Sequence, residues 1–342
     1  MFLSVENIST LQSQKYISKE AFEKDYKIRP QKGDILMTRI GDVGTPNVVK
    51  SDDLVAFYVS LALLKPKKIE SYYLCYEIQS NFFQKGLKER TLVTAIPQKI
   101  NKDEIGKILT FVPVDLNEQN KIGELFNNID NLITLHQRKY EKLKSMKTAL
   151  LEKMFPAGND TSPKIRFKGF TEAWEQRNAK ELCSIITGKS NTQDQVDDGK
   201  YPFYIRSDVP VKSNKFLFDE EAVITIGDGN IGKVFHYVNG KFDLHQRCYK
   251  MADFTYVSAK YFYWYFSTKF YKRAMSMTAK ATVDSVRLEM ISDMPIKYPE
   301  NKDEQSKISA FLFQLDSLIT LHQRKCEKLK NLKKSLLERM FI

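Results

Sequence analysis

Several combinations of residues that carry chemistry are missing from these 342 residues. The four cysteines, Cys75, Cys183, Cys248 and Cys326, stand far apart with no CxxC pair. That suits a reducing compartment and argues against a zinc site. No apolar run approaches the roughly 20 residues that a membrane span requires. The opening residues, MFLSVENISTLQSQKY, lack the basic-then-apolar order of a secretion signal. The expectation is a cytoplasmic protein with no membrane contact. Pro-Pro does not occur, so the Asp/Asn-Pro-Pro-aromatic motif with which amino-methyltransferases grip a flipped base is absent. GxxxxGK[ST] is missing, which excludes a P-loop motor, and neither GxSxG nor HExxH is present. Nothing picks out a scattered acidic nuclease site. The chain reads as a recognition protein without a reactive centre or a metal of its own.

What the chain does have is positive charge, in two places. The net charge is +12, which invites a polyanionic partner. Residues 138–153 carry six Lys or Arg against Glu141 and Glu152, and residues 324–339 carry seven against Glu327 and Glu338. These stretches supply +4 and +5, nine of the twelve excess charges, and leave +3 for everything else. Bulk charge is therefore a weak argument that the rest of the chain binds nucleic acid, and a solvated helix face explains many of the lysines equally well.

The two basic stretches belong to a repeat. Residues 118–155 and 304–341 agree at 23 of 38 positions, so the chain is a doubled unit of variable domain and long helix. Each helix opens on acidic residues, DLNEQNKIG and ENKDEQSKIS, suited to the positive end of the helix dipole. Apolar residues then recur with 3–4 spacing. Ile122, Ile129, Leu143 and Leu150, with Ile133, form a seam in the first copy. Ile308, Leu315, Leu329 and Leu336, with Ile319, form it in the second. A seam held over about four heptads predicts paired, coiled-coil-like helices, each roughly 55 Å long. One seam position is polar in both copies, His136 and His322. No carboxylate or cysteine accompanies them at ligand spacing, so they read as a register device rather than a metal site. If the helices run antiparallel, the two histidines meet near the crossing.

Between the helices, GDILMTRIGDVGTPNVV (33–49) and AVITIGDGNIGKVFHYV (222–238) read as β-hairpins around glycine turns. Gly227, Gly229 and Gly232 satisfy GxGxxG, but KVFHYVNGKFDLH follows where a phosphate-binding site needs a helix, so the motif reads as a turn. An aromatic helix comes next in each domain, SYYLCYEIQSNFF (71–83) and AKYFYWYFSTKFYKRAM (259–275). Such aromatic density is core more often than a base-stacking platform.

The duplicated LITLHQRKYEKLKSMKTALLEKMFP, the phrase KIRFKGFTEAWEQR (164–177) and the glycine hairpins together give a chain that resembles, over essentially its whole length, the specificity subunit of type I restriction–modification systems. The resemblance implies an α+β fold. Two α/β target-recognition domains with β-hairpins are joined by two long antiparallel coiled-coil helices in a pseudo-twofold arrangement. The expected division is 1–114 for the first recognition domain, 115–155 for the first helix, 156–163 for a linker, 164–300 for the second domain and 301–342 for the second helix. It further implies a non-catalytic subunit that reads a bipartite double-stranded DNA target. Two methyltransferase subunits would bring S-adenosylmethionine and methylate adenine, and a motor-nuclease subunit would use ATP and Mg to translocate and cleave. Residues 164–200 have no counterpart in the first domain, where MFLSVENIS matches YPFYIRSDV (201–209), so the first domain is expected to be N-terminally incomplete.

The residues chosen as DNA contacts are Ser4, Asn7, Arg39, Lys88, Arg90 and Thr94 in the first domain. In the second they are Tyr204, Arg206, Ser207, His245, Arg247, Lys280 and Thr282. They are side chains at strand ends and loops able to hydrogen-bond base edges or phosphates. Two other classes remain open at this point: a stand-alone methyltransferase or nuclease, and a coiled-coil scaffold that binds no DNA.

Overall fold

The computed structural model describes residues 1–277 and 285–341. It divides into two compact units, one formed by Met1–Tyr140 with Leu321–Ile342 and the other by Glu141–Thr320. In chain order the elements begin with β1 (Phe2–Leu3), α1 (Lys19–Asp25), β2 (Ile35–Ile40), β3 (Asp42–Val48), β4 (Ala56–Phe57) and β5 (Leu61–Leu64). Next come α2 (Ser71–Ile78), α3 (Asn81–Arg90), α4 (Lys102–Ile105) and the long α5 (Leu116–Lys153). The second half holds β6 (Glu175–Asn178), α6 (Ala179–Leu182), β7 (Ser184–Thr187), β8 (Tyr201–Tyr204) and β9 (Val211–Ser213). It continues through β10 (Phe218–Ile226), β11 (Phe235–Leu244), β12 (Cys248–Ala252), α7 (Ala259–Ser276), α8 (Leu288–Ser292), β13 (Pro295–Tyr298) and the long α9 (Lys302–Met340). Among the described residues no helix is long and apolar enough to cross a membrane.

In the first unit β2 and β3 form the expected hairpin, and β5 pairs with the other edge of β2, giving the order β3-β2-β5. The short β1 lies parallel to β4. Ile35 and Met37 project from β2 onto Leu74, Ile78, Phe83 and Leu87 of the two helices behind the sheet. The aromatic segment expected as one helix over 71–83 is two. Ser80 takes an extended backbone and its hydroxyl accepts from the Phe83 amide, which caps a new helix and ends the old one.

The second unit is built on a six-stranded sheet of order β7-β12-β10-β11-β8-β9. Alternate residues of β10 face opposite ways. Val223 joins the cluster under α7, while Ala222, Ile224 and Ile226 enter a second cluster with Val238, Phe242 and Leu244. Both faces are therefore buried over Ala222–Ile226, which is why apolar residues there occupy both, with the one polar side chain, Thr225, donating to the Val234 carbonyl at 3.0 Å. The sheet curls on itself. Beyond β7 the Ser190 amide donates to the Leu244 carbonyl at the end of β11, and Ser190 bridges His245. The aromatic helix α7 is core: Tyr261, Phe262, Trp264, Tyr265, Phe266 and Phe270 are buried, and the Tyr261 hydroxyl donates to the Lys297 carbonyl of β13 at 2.7 Å.

Each unit contains a stretch of both long helices, and in each they run antiparallel. In the first unit Phe126 of α5 meets Phe341 (centroids 5.6 Å apart), Asp130 accepts from Lys333 at 2.8 Å, and His136 faces His322. Position rises along one helix as it falls along the other. In the second unit Lys147 pairs with Asp316 at 2.5 Å, while Leu150 and Leu151 pack with Ile308 and Leu312. Ile129, Ile308 and Leu315 are buried, and Ile122, Ile133, Leu143, Leu150, Ile319, Leu329 and Leu336 are half-buried.

The two histidines meet directly, with Nδ1 to Nδ1 at 2.8 Å. One ring must present Nδ1–H and the other an Nδ1 lone pair, so the pair holds together only while at least one ring is neutral. Burial, His136, and the nearby Lys139 and Lys325 all hold His322 below its ordinary pKa of 6.5.

Two features of β-pairing relate the units. β1 lies parallel to β4 as β8 lies parallel to β11, and β5 pairs with β2 as β12 pairs with β10. By this correspondence β6, α6 and β7 have no counterpart among the described residues of the first unit. In the second unit that opening segment is fixed by charge as well as packing. Arg166 donates a two-pronged pair of hydrogen bonds, 2.7 and 2.9 Å, to Glu304, whose carboxylate is fully buried near the start of α9.

Two outcomes follow from these contacts. Because the folded pKa of His322 lies below the unfolded value, its contribution to stability is whole above about pH 6.5 and is lost as pH falls from there through the lowered folded value. Protection factors of the amides over residues 126–140, taken relative to the intrinsic exchange rate at each pH, should therefore fall on acidification below pH 6.5, and His322→Asn should flatten that dependence. Arg166→Ala strands a buried carboxylate and should lower stability of the second unit by about 3–5 kcal/mol in a denaturant titration, with the Trp174 and Trp264 fluorescence as the readout.

Candidate nucleic-acid interface

The β10–β11 turn of the second unit is where backbone closeness demands glycine. The Gly227 amide donates to the Arg247 carbonyl at 2.7 Å, and a Cβ on Gly227 would sit 2.6 Å from that oxygen. On the other side the Val286 amide donates to the Gly227 carbonyl, and Asp228 bridges Ser285. Gly229 and Gly232 follow with φ of +81° and +67°, and the chain then enters β11. The GxGxxG stretch is thus a strand-to-strand turn with no helix behind it to hold a phosphate.

Three further loops converge on this turn. After β8, Arg206 reaches Asp228, Nη1 to Oδ2 at 3.2 Å, and the Ser207 hydroxyl donates to the Val209 carbonyl. From the β11–β12 turn the Gln246 amide donates to the Ser190 carbonyl, and its side chain donates to Asn191 Oδ1 at 2.6 Å. Ser190 in turn donates to the buried Asp243 at 2.6 Å. The rim of this cluster carries exposed Lys189, Arg206, Lys233 and Arg247. At its centre sits Asp228, with Oδ1 buried and without a hydrogen-bond partner among the described residues. Cationic forks, amides and one carboxylate acceptor are the groups that read base edges in a major groove: Arg to guanine, Asn or Gln to adenine, Asp to the cytosine amino group.

The sequence-chosen residues of this unit fall into three classes. Arg206 and Arg247 are exposed in the cluster, and Arg247 has no side-chain partner among the described residues. Ser207 is half-buried beside them. Tyr204 and His245 point inward. Tyr204 packs against His236 and Phe242 in the sheet core, where burial raises its pKa. His245 is buried and its Nδ1 accepts from the Arg247 amide at 3.0 Å. Burial first, then the Arg206 charge, lowers its pKa and keeps that nitrogen free to accept. Its role is to shape the turn that presents Arg247. Lys280 and Thr282 lie outside the described residues. Sequence reading passed over Lys189, Asn191, Asp228 and Gln246. Of these only Asp228 carried a signal, since it lies within the glycine turn.

In the first unit the chosen residues are more dispersed. Ser4 and Asn7 bond each other, the Ser4 amide donating to Asn7 Oδ1 at 3.0 Å, and Asn7 Nδ2 donates to the Gln12 carbonyl. Both fix the turn after β1. Arg39 is half-buried, with Nη1 donating to the Ile100 carbonyl at 3.0 Å. Arg90 Nη1 donates to the Gly86 carbonyl at 3.3 Å within α3. Lys88 and Thr94 are exposed. Lys88 lines a cleft of about 570 Å³ with Asn81, Lys85 and Gln98. Gln98 also ties the hairpin tip, its Nε2 donating to the Gly41 carbonyl at 3.0 Å. Among the described residues no group of three or more His, Cys, Asp or Glu could hold a metal.

Comparison with known proteins bears on both units. A family model described as the type I restriction modification DNA specificity domain matches residues 3–145 and again residues 171–331. The EcoDI specificity subunit of a type I restriction enzyme from Escherichia coli is 24% identical over 147 residues, 42% of this chain and 32% of that protein. The match therefore spans about a third of the relative's length. Among solved structures, the S subunit of a type I restriction-modification system from M. genitalium is similar with a TM-score of 0.66 at 15% identity, covering 97% of this chain and 93% of that one. A chain from a structural study of complex assembly and conformational transition in the type I R-M system is similar at TM-score 0.50 and 15% identity, covering 98% and 89%. At such identities the structural likeness concerns the fold.

The close approach at Gly227 yields a direct check. Gly227→Ala forces the β10–β11 turn away from the Arg247 carbonyl and should destabilise the second unit by about 1–3 kcal/mol in thermal melts. Gly229→Ala, where nothing lies within 4 Å of the new methyl but φ is +81°, should cost only about 1 kcal/mol.

Proposed function

The chain belongs to the family of type I restriction modification DNA specificity domains, and from that premise we propose that it is the non-catalytic subunit that recognises DNA for a type I restriction–modification complex. The observation that carries this reading is the double match: one specificity domain falls on each unit, and each match runs into its own copy of the long helix. Two unlike readers on a repeated scaffold suit a target of two unlike halves, because the spacing of readers fixes the spacing of half-sites.

In this reading the loop cluster around Asp228 reads bases in one half-site, with Arg206 and Arg247 as donors and Asp228 as acceptor. Lys88, Thr94 and the cleft beside α3 serve the other. Phosphate contacts from rim lysines supply salt-dependent affinity, and base contacts supply discrimination of about 1–3 kcal/mol each. The chemistry belongs to partners: two methyltransferase subunits that bring S-adenosylmethionine to an adenine, and a motor-nuclease subunit that uses ATP and Mg. This chain's own residues hold the duplex still while a base is flipped out of the stack. The setting is the cytoplasm, where DNA and those subunits are found.

With methyltransferase partners present, Arg247→Ala should weaken binding to the target sequence by about 1–3 kcal/mol, roughly 5- to 150-fold, in a fluorescence titration. Unrelated DNA should lose much less. Equal loss on both would make Arg247 a phosphate contact, and methyl transfer by the purified chain alone would refute the non-catalytic assignment.

A further inference from the structure

We propose that the second unit carries a binding site for the phosphoryl groups of a small di- or triphosphate. The site is a cavity of about 380 Å³ bounded by the last turns of α7, by β13 and by the turn that follows α5. None of the loops around Asp228 borders this cavity, so the site stands or falls apart from the DNA-recognition reading.

Four cationic side chains line the cavity, Lys269, Lys272 and Arg273 from α7 and Lys297 from β13, and no carboxylate does among the described residues. Lys297 is the most deeply set. Only 8% of its surface is exposed, and its ammonium donates to the Gly158 and Asp160 carbonyls at 2.7 and 2.8 Å. Both acceptors are neutral, so the buried charge is solvated but not cancelled, and an ammonium has a third proton to give. Arg273 is half-buried and anchored through one donor, Nε to the Met290 carbonyl at 2.8 Å. Lys269 is half-buried and Lys272 is exposed. Burial first, then the charges of Lys272 and Lys297, hold the Lys269 ammonium below its ordinary pKa of 10.5, with Glu152 acting against them. Like charges thus face one another at a cost, which a bound anion removes. The carboxylates whose charge reaches this group are Glu152, which is exposed, and Asp293, which is engaged by Lys180 at 2.8 Å.

Two simpler accounts fall short. Cations in the last turns of a helix complement its dipole. That suits Lys269, Lys272 and Arg273 but not Lys297, which comes from a strand. Nor does the fold need positive charge at this place. In the first unit Tyr73 matches Tyr261: each takes a capping bond at its amide, and each donates from its hydroxyl to a backbone carbonyl at 2.7 Å, that of Phe111 or Lys297. Glu77 then stands for Tyr265 and Phe111 for Lys297. These two border the corresponding cavity of about 350 Å³, which no Lys or Arg lines among the described residues. There burial raises the Glu77 carboxyl to about 7.

Charge selects the ligand. Four cations against one outlying carboxylate suit about three negative charges, more than the single charge of one backbone phosphate or the roughly two of a phosphomonoester. A di- or triphosphate supplies them, and its several oxygens can be shared among ammonium and guanidinium donors in charge-assisted hydrogen bonds.

The test is a calorimetric titration of the full chain with pyrophosphate, without divalent metal. One site per chain is expected, with inorganic phosphate bound at least tenfold more weakly. Lys269→Gln combined with Lys272→Gln should weaken pyrophosphate at least tenfold without lowering the thermal midpoint of the unliganded chain, and Arg247→Ala should leave the affinity unchanged. With pyrophosphate bound, hydrogen exchange should slow over residues 156–160 and 265–276. Absence of saturable binding, equal binding by the double variant, or protection confined to the loops around Asp228 would overturn the proposal. So would displacement of pyrophosphate by unrelated duplex DNA at equal phosphate concentration, since that makes the cavity a backbone contact.

Discussion

The apolar stripe of each long helix is buried by the other helix and by the aromatic helix of each unit, and this mutual dependence governs the rest of the molecule. Neither stripe is wide enough, nor either helix apolar enough, to be stable in water alone. Pairing also ties sequence ends together. Phe126, whose ring is fully buried, stacks with Tyr76 of its own unit and touches Phe341 from the last turn of the chain. In the second unit the equivalent service comes from Phe155, at the end of the first helix, against Tyr261 and Tyr265. Each unit's aromatic helix is thus finished by a phenylalanine from the helix copy that belongs, in sequence, to the other half. The first unit cannot complete its core until the last residues are in place, a long loop to close before any reward from contact.

Polar residues set the register of the pair. The Nδ1 to Nδ1 contact of His136 and His322 requires unlike protonation of two identical residues. A slip of either helix would bury two imidazoles against leucine instead. The Asp130 carboxylate adds a second pin, shared between the Tyr76 hydroxyl and the Lys333 ammonium. Buried polar contacts of this sort contribute more to uniqueness than to stability, and the best-attested use of such pairs is to fix alignment.

How much of this was legible in the sequence follows from what kind of signal each feature leaves. Helix pairing leaves a period, and the 3–4 spacing marked the two long helices. The hairpins leave glycines between alternating strands, and both were found. The aromatic helices were read as core, but the break at Ser80 was not, because one serine does not distinguish a cap from a tolerated mid-helix residue. The loop contacts were the least legible. Tyr204 and Arg206 lie two apart and looked alike as strand-end polar residues, yet one packs in the core and the other reaches Asp228. That difference depends on where the strand ends and on how the sheet curls, and neither leaves a mark in local composition. Arg166 and Glu304 stand 138 residues apart, and no local pattern announces their pairing.

The placement of charge carries the last step. The stretches 138–153 and 324–339 of the long helices carry nine of the twelve excess positive charges, whereas the loop cluster around Asp228 sets its cations beside acidic groups. Around Asp228 the cations are already partly engaged: Arg206 is held by the carboxylate it would leave on meeting a base or phosphate. On the proposed reading Arg206 gains little from the bulk field of DNA, because it is taken from an internal partner when given to the duplex, whereas Arg247 has no side-chain partner to leave among the described residues. On that reading the Arg206–Asp228 pair would gain when donor and acceptor exchange together, Arg206 to one base edge and Asp228 to another, and would lose when only Arg206 is matched, since the Asp228 carboxylate is then left without its partner. On the proposed reading, loops whose charges are engaged with one another would favour discrimination over affinity, whereas the basic stretches 138–153 and 324–339, whose charges are mostly solvated, would favour affinity without discrimination. The fold keeps the two properties on separate elements, the repeated one and the divergent one.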